Sequence, residues 1–153
     1  VLEQCKEDDV IENVKAIREF AGDRAVLRAF HFFEENKRVD AEVEALEKKD
    51  FATFFNKITE SGDSSWKWLQ NCYCNETPDE QSITVALALT KLYLDKIGRG
   101  VCRVHGGGFA GVIAAFLPKE ETEGFTKYIN KALGEGSAYV MHIRPQGAVK
   151  VEF

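Results

Sequence analysis

The sequence predicts an α+β protein, with helices filling roughly the first hundred residues and a sheet formed after them. Two observations predict it. Apolar residues recur at three- and four-residue spacing as far as Gly98, and from Val101 the period changes to two. The resulting order is helices, then strand–strand–helix–strand–strand. That order gives a four-stranded antiparallel sheet backed by helices, with additional helices in front.

Val10, Ile11, Val14, Ile17 and Phe20 keep helical spacing up to Gly22. Val26, Leu27, Phe30 and Phe33 open a long amphipathic helix that continues through Val39, Val43 and Leu46. Asp50 is placed to cap the next helix, which turns Phe51, Phe54, Phe55 and Ile58 inward. Residues 61–78 break the pattern and read as an irregular loop with room for one helical turn, too rich in Trp and Tyr for a plain linker. Thr77-Pro78-Asp79-Glu80 reads as a capping box opening a helix at Pro78. That helix carries Ile83, Leu87, Thr90, Leu94 and Ile97 on one face and stops at Gly98.

Val101–His105 and Val112–Leu117 read as strands, the second halted by Pro118. A helix over 119–133 follows, with Phe125, Ile129 and Leu133 aligned and Gly134 past its end. Tyr139, Met141 and Ile143 alternate with Val140, His142 and Arg144 as a third strand. Arg144-Pro145-Gln146-Gly147 has turn chemistry, and Val149, Val151 and Phe153 make the fourth strand. There is no internal repeat. The chain is expected to be a single domain over 1–153, with a helical arm at 1–24 and a core at 25–153.

Composition narrows the function. The 153 residues are 44% hydrophobic with eleven Phe, enough for a real core. A net charge of −5 and a pI near 5.3 argue against a nucleic-acid partner, which a basic stripe would announce. The acidic surplus lies in residues 1–50, with 14 acidic and 9 basic side chains, and reads as a solvated helical face. No apolar run approaches the roughly 18–20 residues that span a bilayer, and no signal peptide opens the chain, so no membrane partner is expected. Cys5, Cys72, Cys74 and Cys102 lack paired spacing and read as free thiols of a cytoplasmic protein; scattered His31, His105 and His142 suggest no metal site. The chain begins at Val1 rather than Met and reads as a piece of a longer protein.

Chemistry is expected at His105 to Gly111. Gly106, Gly107 and Gly108 carry no Cβ, so the backbone can take positive φ and approach a ligand. Gly106, Gly108 and Gly111 also fit a dinucleotide fingerprint, but a strand follows where that motif needs a helix. A phosphate-binding P-loop would need Lys and Ser or Thr where Val112 and Ile113 stand. His105-Gly106-Gly107-Gly108 is similar to a lipase oxyanion loop, yet no G-x-S-x-G is present. A ligand-free glycine turn is the plain alternative.

These residues resemble the C-terminal domain of the GHMP small-molecule kinases, and the galactokinase group in particular. Gly106-Gly107-Gly108-Phe109-Ala110-Gly111 is similar to that group's GGGFGG loop, differing at Ala110. His31-Phe32-Phe33-Glu34-Glu35-Asn36-Lys37-Arg38-Val39 matches its helix motif H, two apolar residues, x, E-N-x-R-V. Glu60-Ser61 falls at its acidic-or-polar residue before Ser, and Gly147-Ala148-Val149-Lys150-Val151 is similar to its closing strand.

The resemblance implies a ferredoxin-like fold and one wall of a cleft where Mg-ATP phosphorylates the anomeric hydroxyl of galactose or a related hexose. The ATP-binding domain, with the first two family motifs and the Asp associated with the base, is absent from this chain. ATP and Mg2+ are thus expected for the longer enzyme, while the fragment binds neither and holds no catalytic residue. Residues 64–78 depart from the family, and Gly62 stands where it has His. Trp66, Trp68 and Tyr73 are candidate sugar-stacking rings, or simply pack the loop. His105 and Arg103 share a strand face and stand behind the glycines as secondary candidates. Cys102 points the other way, to the core. His31 reads as structural, and Glu35–Arg38 as a surface pair worth about 0.2–0.5 kcal/mol. The alternative is a non-catalytic sugar sensor or binding module. Loss of the ATP-binding domain is expected to uncover an apolar face through which the fragment self-associates.

Overall fold

The computed structural model describes residues 4–108, 111–143, 145–147 and 149–150. Two compact units divide the chain, Val1–Leu117 and Pro118–Phe153.

The first unit opens with α1 (Glu7–Glu12) and α2 (Val14–Ala21), which the spacing had joined into one helix. Asn13 separates them. Its side chain donates to the Asp9 carbonyl at 2.8 Å, competing with the backbone ladder as Asn commonly does. Val10 is buried, and Val14 and Ile17 pack beside it against Val26 and Ala29 of α3 (Asp23–Glu47). Phe20 is 94% exposed and Ile11 also faces out, so both leave the face assigned to them. Gly22, with φ of +82°, turns the chain from α2 into α3.

Helix α4 (Phe51–Ser64) begins as expected at Asp50, which accepts from the Thr53 amide at 3.1 Å and the Thr53 hydroxyl at 2.7 Å. Phe51, however, is exposed; Ile58, Ser61 and Ser64 are the buried positions. The expected loop over 61–78 is helical for its first nine residues. After α4, a π-helical turn over Ser65–Leu69 continues the chain, and left-handed Gln70 ends it.

The expected helix start at Pro78 is a turn instead. The Glu80 amide donates to the Thr77 carbonyl at 3.0 Å, and α5 (Ser82–Ile97) begins four residues later. Gln81 explains the delay. Its side chain accepts from the Cys74 amide and donates to the carbonyls of Cys74 and Thr77, tying the 74–77 segment to the helix entrance. Helix α5 stops at Gly98 as expected, with φ of +66°. Strands β1 (Val101–Val104) and β2 (Ile113–Phe116) then pair antiparallel, with Val104 opposite Ile113. Val104, Cys72 and Ile83 are buried together, with Leu87, Ile113 and Tyr73 packed around them.

In the second unit, α6 (Thr122–Leu133) buries Phe125 and Ile129, while Leu133 is exposed. The chain is α+β and mostly helical, but the sheet is not four-stranded: the described residues form two strands. Tyr139, Val140, Met141 and Ile143, expected as a third strand, are exposed and outside any strand. Alternation marks a segment able to pair and supplies no partner. Of the expected fourth strand, Val149 is not in a strand, and Val151 and Phe153 lie outside the described residues.

Candidate functional site

The glycine segment joins β1 to β2 across a hairpin. Its base is closed by the His105 amide, which donates to the Val112 carbonyl at 3.0 Å. Gly106, Gly108 and Gly111 have φ of +64°, +80° and +82°, conformations that favour glycine. Their surroundings differ. A Cβ at Gly106, Gly107 or Gly111 would meet nothing within 4 Å, whereas one at Gly108 would stand 2.1 Å from the Asn71 carbonyl oxygen. Gly108 is therefore the anchor, and Gly106 and Gly107 form the exposed rim. Phe109 and Ala110 lie outside the described residues. His105 is exposed at the hairpin's mouth.

Beneath the hairpin lies a polar network that joins three separated stretches of sequence. Arg103 leaves β1 with its Nε donating to the Val104 carbonyl at 3.0 Å and its Nη1 donating to the Ser61 hydroxyl of α4. Ser61, fully buried, in turn donates to Glu35 of α3. The Arg103 guanidinium is 3.6 Å from the same carboxylate, and Arg38 donates to its other oxygen at 3.2 Å. His31 Nδ1 sits 2.9 Å from the Ser64 hydroxyl and 3.7 Å from Glu35. Arg38 is 8% exposed, so its pairing with Glu35 belongs to the interior and not to a helix surface. Gly62 makes room for this arrangement, since a Cβ there would stand 3.1 Å from the Arg103 Cβ.

The electrostatics are nearly balanced, with Glu35 and Glu42 facing Arg38 and Arg103. Burial alone would push the Glu35 carboxyl up, but the Ser61 hydrogen bond and the two guanidinium groups overcome it and hold the carboxyl below its ordinary range. Burial also holds His31 below the usual imidazole value, against the pull of Glu35. Burial raises Glu42, whose Oε1 is buried without a partner.

Trp66 and Tyr73 come together, with ring centroids 5.9 Å apart and planes inclined by 55°. Trp66 is 37% exposed, while Tyr73 packs on the Cys72–Ile83–Val104 cluster; Trp68 is half-buried. Sequence reasoning missed Asn71 and Gln81. Asn71 is 2% exposed, its Nδ2 has no partner, and it carries Gly108. No spacing rule marks a residue that matters through its backbone. Among the described residues, no group of three or more His, Cys, Asp or Glu could hold a metal ion. No helix among them is long and apolar enough to cross a membrane.

The chain is similar to galactokinases of Haemophilus influenzae strains PittGG, PittEE and ATCC 51907 / DSM 11121 / KW20 / Rd. Each is 30% identical over 146 residues, covering 83% of this chain. The chain spans about a third of the length of these curated relatives, 34% in each case. No family model matches, and no solved structure matches significantly.

Proposed function

We propose that this chain is the C-terminal part of a galactokinase-like sugar kinase, which transfers the ATP γ-phosphate to the C1 hydroxyl of galactose or a related hexose. The observation that carries the reading is the meeting of three resembling segments. The helix motif around Glu35, the Ser61 position and the strand before the glycine run converge on one network below one hairpin. Similarity to galactokinases over 83% of the chain supports the same reading.

The hairpin fits an anion. Gly106 and Gly107 present exposed backbone with open space where side chains would stand, so a phosphate or sugar oxygen can approach the main chain. In that role the loop orients and excludes, since phosphoryl transfer relies on positioning and charge stabilisation. Trp66 and Tyr73 supply flat apolar faces for a pyranose ring, with Trp68 the third ring of the segment. Mg-ATP, when bound, supplies the phosphoryl group and the cation that neutralises its charge. We assign neither a ligand for that ion nor the base to this chain. An ATP-binding domain outside the chain has that part. His105 and Arg103 remain secondary, one at the hairpin mouth and the other beneath it. We place the enzyme in the cytoplasm.

The test is direct. The longer protein is incubated with Mg-ATP and a panel of hexoses and amino sugars, and the sugar phosphate is measured. Turnover of a hexose by the longer protein, with none by the 153-residue chain, is the expected result. Sugar binding without turnover by the longer protein would replace the kinase with a sugar sensor.

A further inference from the structure

We propose that Ser61 and Glu35 are positioning residues for the glycine hairpin, acting through Arg103. The kinetic part of this inference rests on the kinase reading above; the part concerning loop order does not. Arg103 stands three positions before Gly106 on the strand that delivers the hairpin. Its side chain is only 26% exposed and is held at both ends. Nε donates to the adjoining Val104 carbonyl, and Nη1 reaches Ser61, which itself donates to Glu35. A guanidinium fixed by a buried hydroxyl and a carboxylate has one orientation, and its strand has little freedom to twist or slide.

The second anchor lies across the hairpin, where Gly108 sits on Asn71. Asn71 follows left-handed Gln70, which ends the π-helical turn extending α4, the helix that carries Ser61. The hairpin is thus gripped twice by this part of the chain, through Ser61 of α4 at the strand and through Asn71 beyond its π-helical extension at the loop. Glu35 ties Ser61 and Arg103 to α3, and Arg38 and His31 complete its surroundings. Two fixed points on either side of Gly106 and Gly107 leave the exposed rim in a defined place, which backbone recognition of a ligand requires.

The experiment compares Ser61→Ala, Glu35→Ala and the conservative Glu35→Gln in the longer protein, with Val26→Ala as a control that weakens the Val10–Val26–Ala29 cluster, outside the Arg103–Ser61–Glu35 network. The readouts are native-state hydrogen exchange at the His105 amide and the split between kcat and KM. Expected in Ser61→Ala and Glu35→Ala is faster exchange at His105 by about tenfold, with a higher KM and a lower kcat. Glu35→Gln, which keeps an acceptor for Ser61, recovers a substantial part of both. Val26→Ala loses stability with neither effect. Exchange at His105 that follows global stability alike in all four variants would overturn the inference. A wild type that phosphorylates no hexose would refute the kinase reading, and the exchange arm would still decide the present one.

Discussion

Gly108 and Asn71 are in direct backbone contact, with no room for a side chain between the hairpin and the Asn71 carbonyl. A turn residue far along the chain thereby fixes the end of a segment that starts near Ser61. The relationship also separates the glycines by role, because only Gly108 is closely packed by its surroundings among the three at 106, 107 and 108.

Alanine substitution should reproduce that separation. Gly108→Ala combines positive φ with a severe overlap and is expected to cost more than about 2 kcal/mol. Gly106→Ala meets no atom and should lose about 1–2 kcal/mol from its left-handed backbone alone. Gly107→Ala has neither penalty and should stay within about 0.5 kcal/mol of wild type in urea unfolding. If Gly107→Ala nonetheless abolishes sugar phosphorylation by the longer protein, its backbone serves a ligand. Unchanged turnover would remove the glycine rim from the site.

Gln81 should behave as a clasp. Its carboxamide closes three hydrogen bonds with Cys74 and Thr77, at 3.2, 2.7 and 3.2 Å. Gln81→Ala leaves those backbone groups to water and is expected to cost about 1–3 kcal/mol. Limited proteolysis should then cut residues 74–80 faster while β1 and β2 stay resistant. Equal cleavage rates in the two proteins would show the segment is held by other contacts.

Arg38 has more to lose. It is buried beside Glu35, and Arg38→Ala removes one of the two guanidinium groups facing that carboxylate. A loss of about 3–5 kcal/mol is expected, well above a surface pair. A urea midpoint within error of wild type would reject the buried-pair description.

Residues that act through local chemistry leave a mark in the sequence, and residues satisfied from afar do not. Asp50 and Gly98 act through local chemistry, a side-chain cap and a left-handed stop, and both were legible. The period change at Val101 located the hairpin for the same reason. Ser61, Ser64 and Ser65 read as loop in the sequence because small polar residues in a helix look like a break. Ser61 and Ser64 are buried where Glu35, His31 and Arg103 reach them from sequence distances of 26, 33 and 42 residues. Such long-range satisfaction overrides local propensity and leaves no periodic trace. Thr77-Pro78-Asp79-Glu80 failed in the opposite way. The capping signal was present, but the Gln81 clasp shifted the helix start beyond it.

Titration of the network gives the last prediction, because its acidic members respond in opposite senses. Glu42 has a folded pKa raised by burial above its ordinary 4.5. Its native state favours the neutral form, so the ionised carboxylate destabilises the fold above that pH and the penalty disappears below it. Glu42→Gln should therefore stabilise the protein at pH 7 and give no gain at pH 4. Glu35 lies below its ordinary 4.5 and His31 below its ordinary 6.5, despite burial driving the two in different directions. For both, the unfolded state binds more protons, so their contributions are present above those values and are lost as pH falls. Wild-type stability should begin to decline below about pH 6.5 through His31 and fall further below about 4.5 through Glu35. His31→Asn should flatten the first step and leave the second. Urea midpoints measured from pH 8 to pH 4 separate the three groups, and a Glu42→Gln variant no more stable than wild type at pH 7 would show that Arg38 and Arg103 already compensate the Glu42 charge.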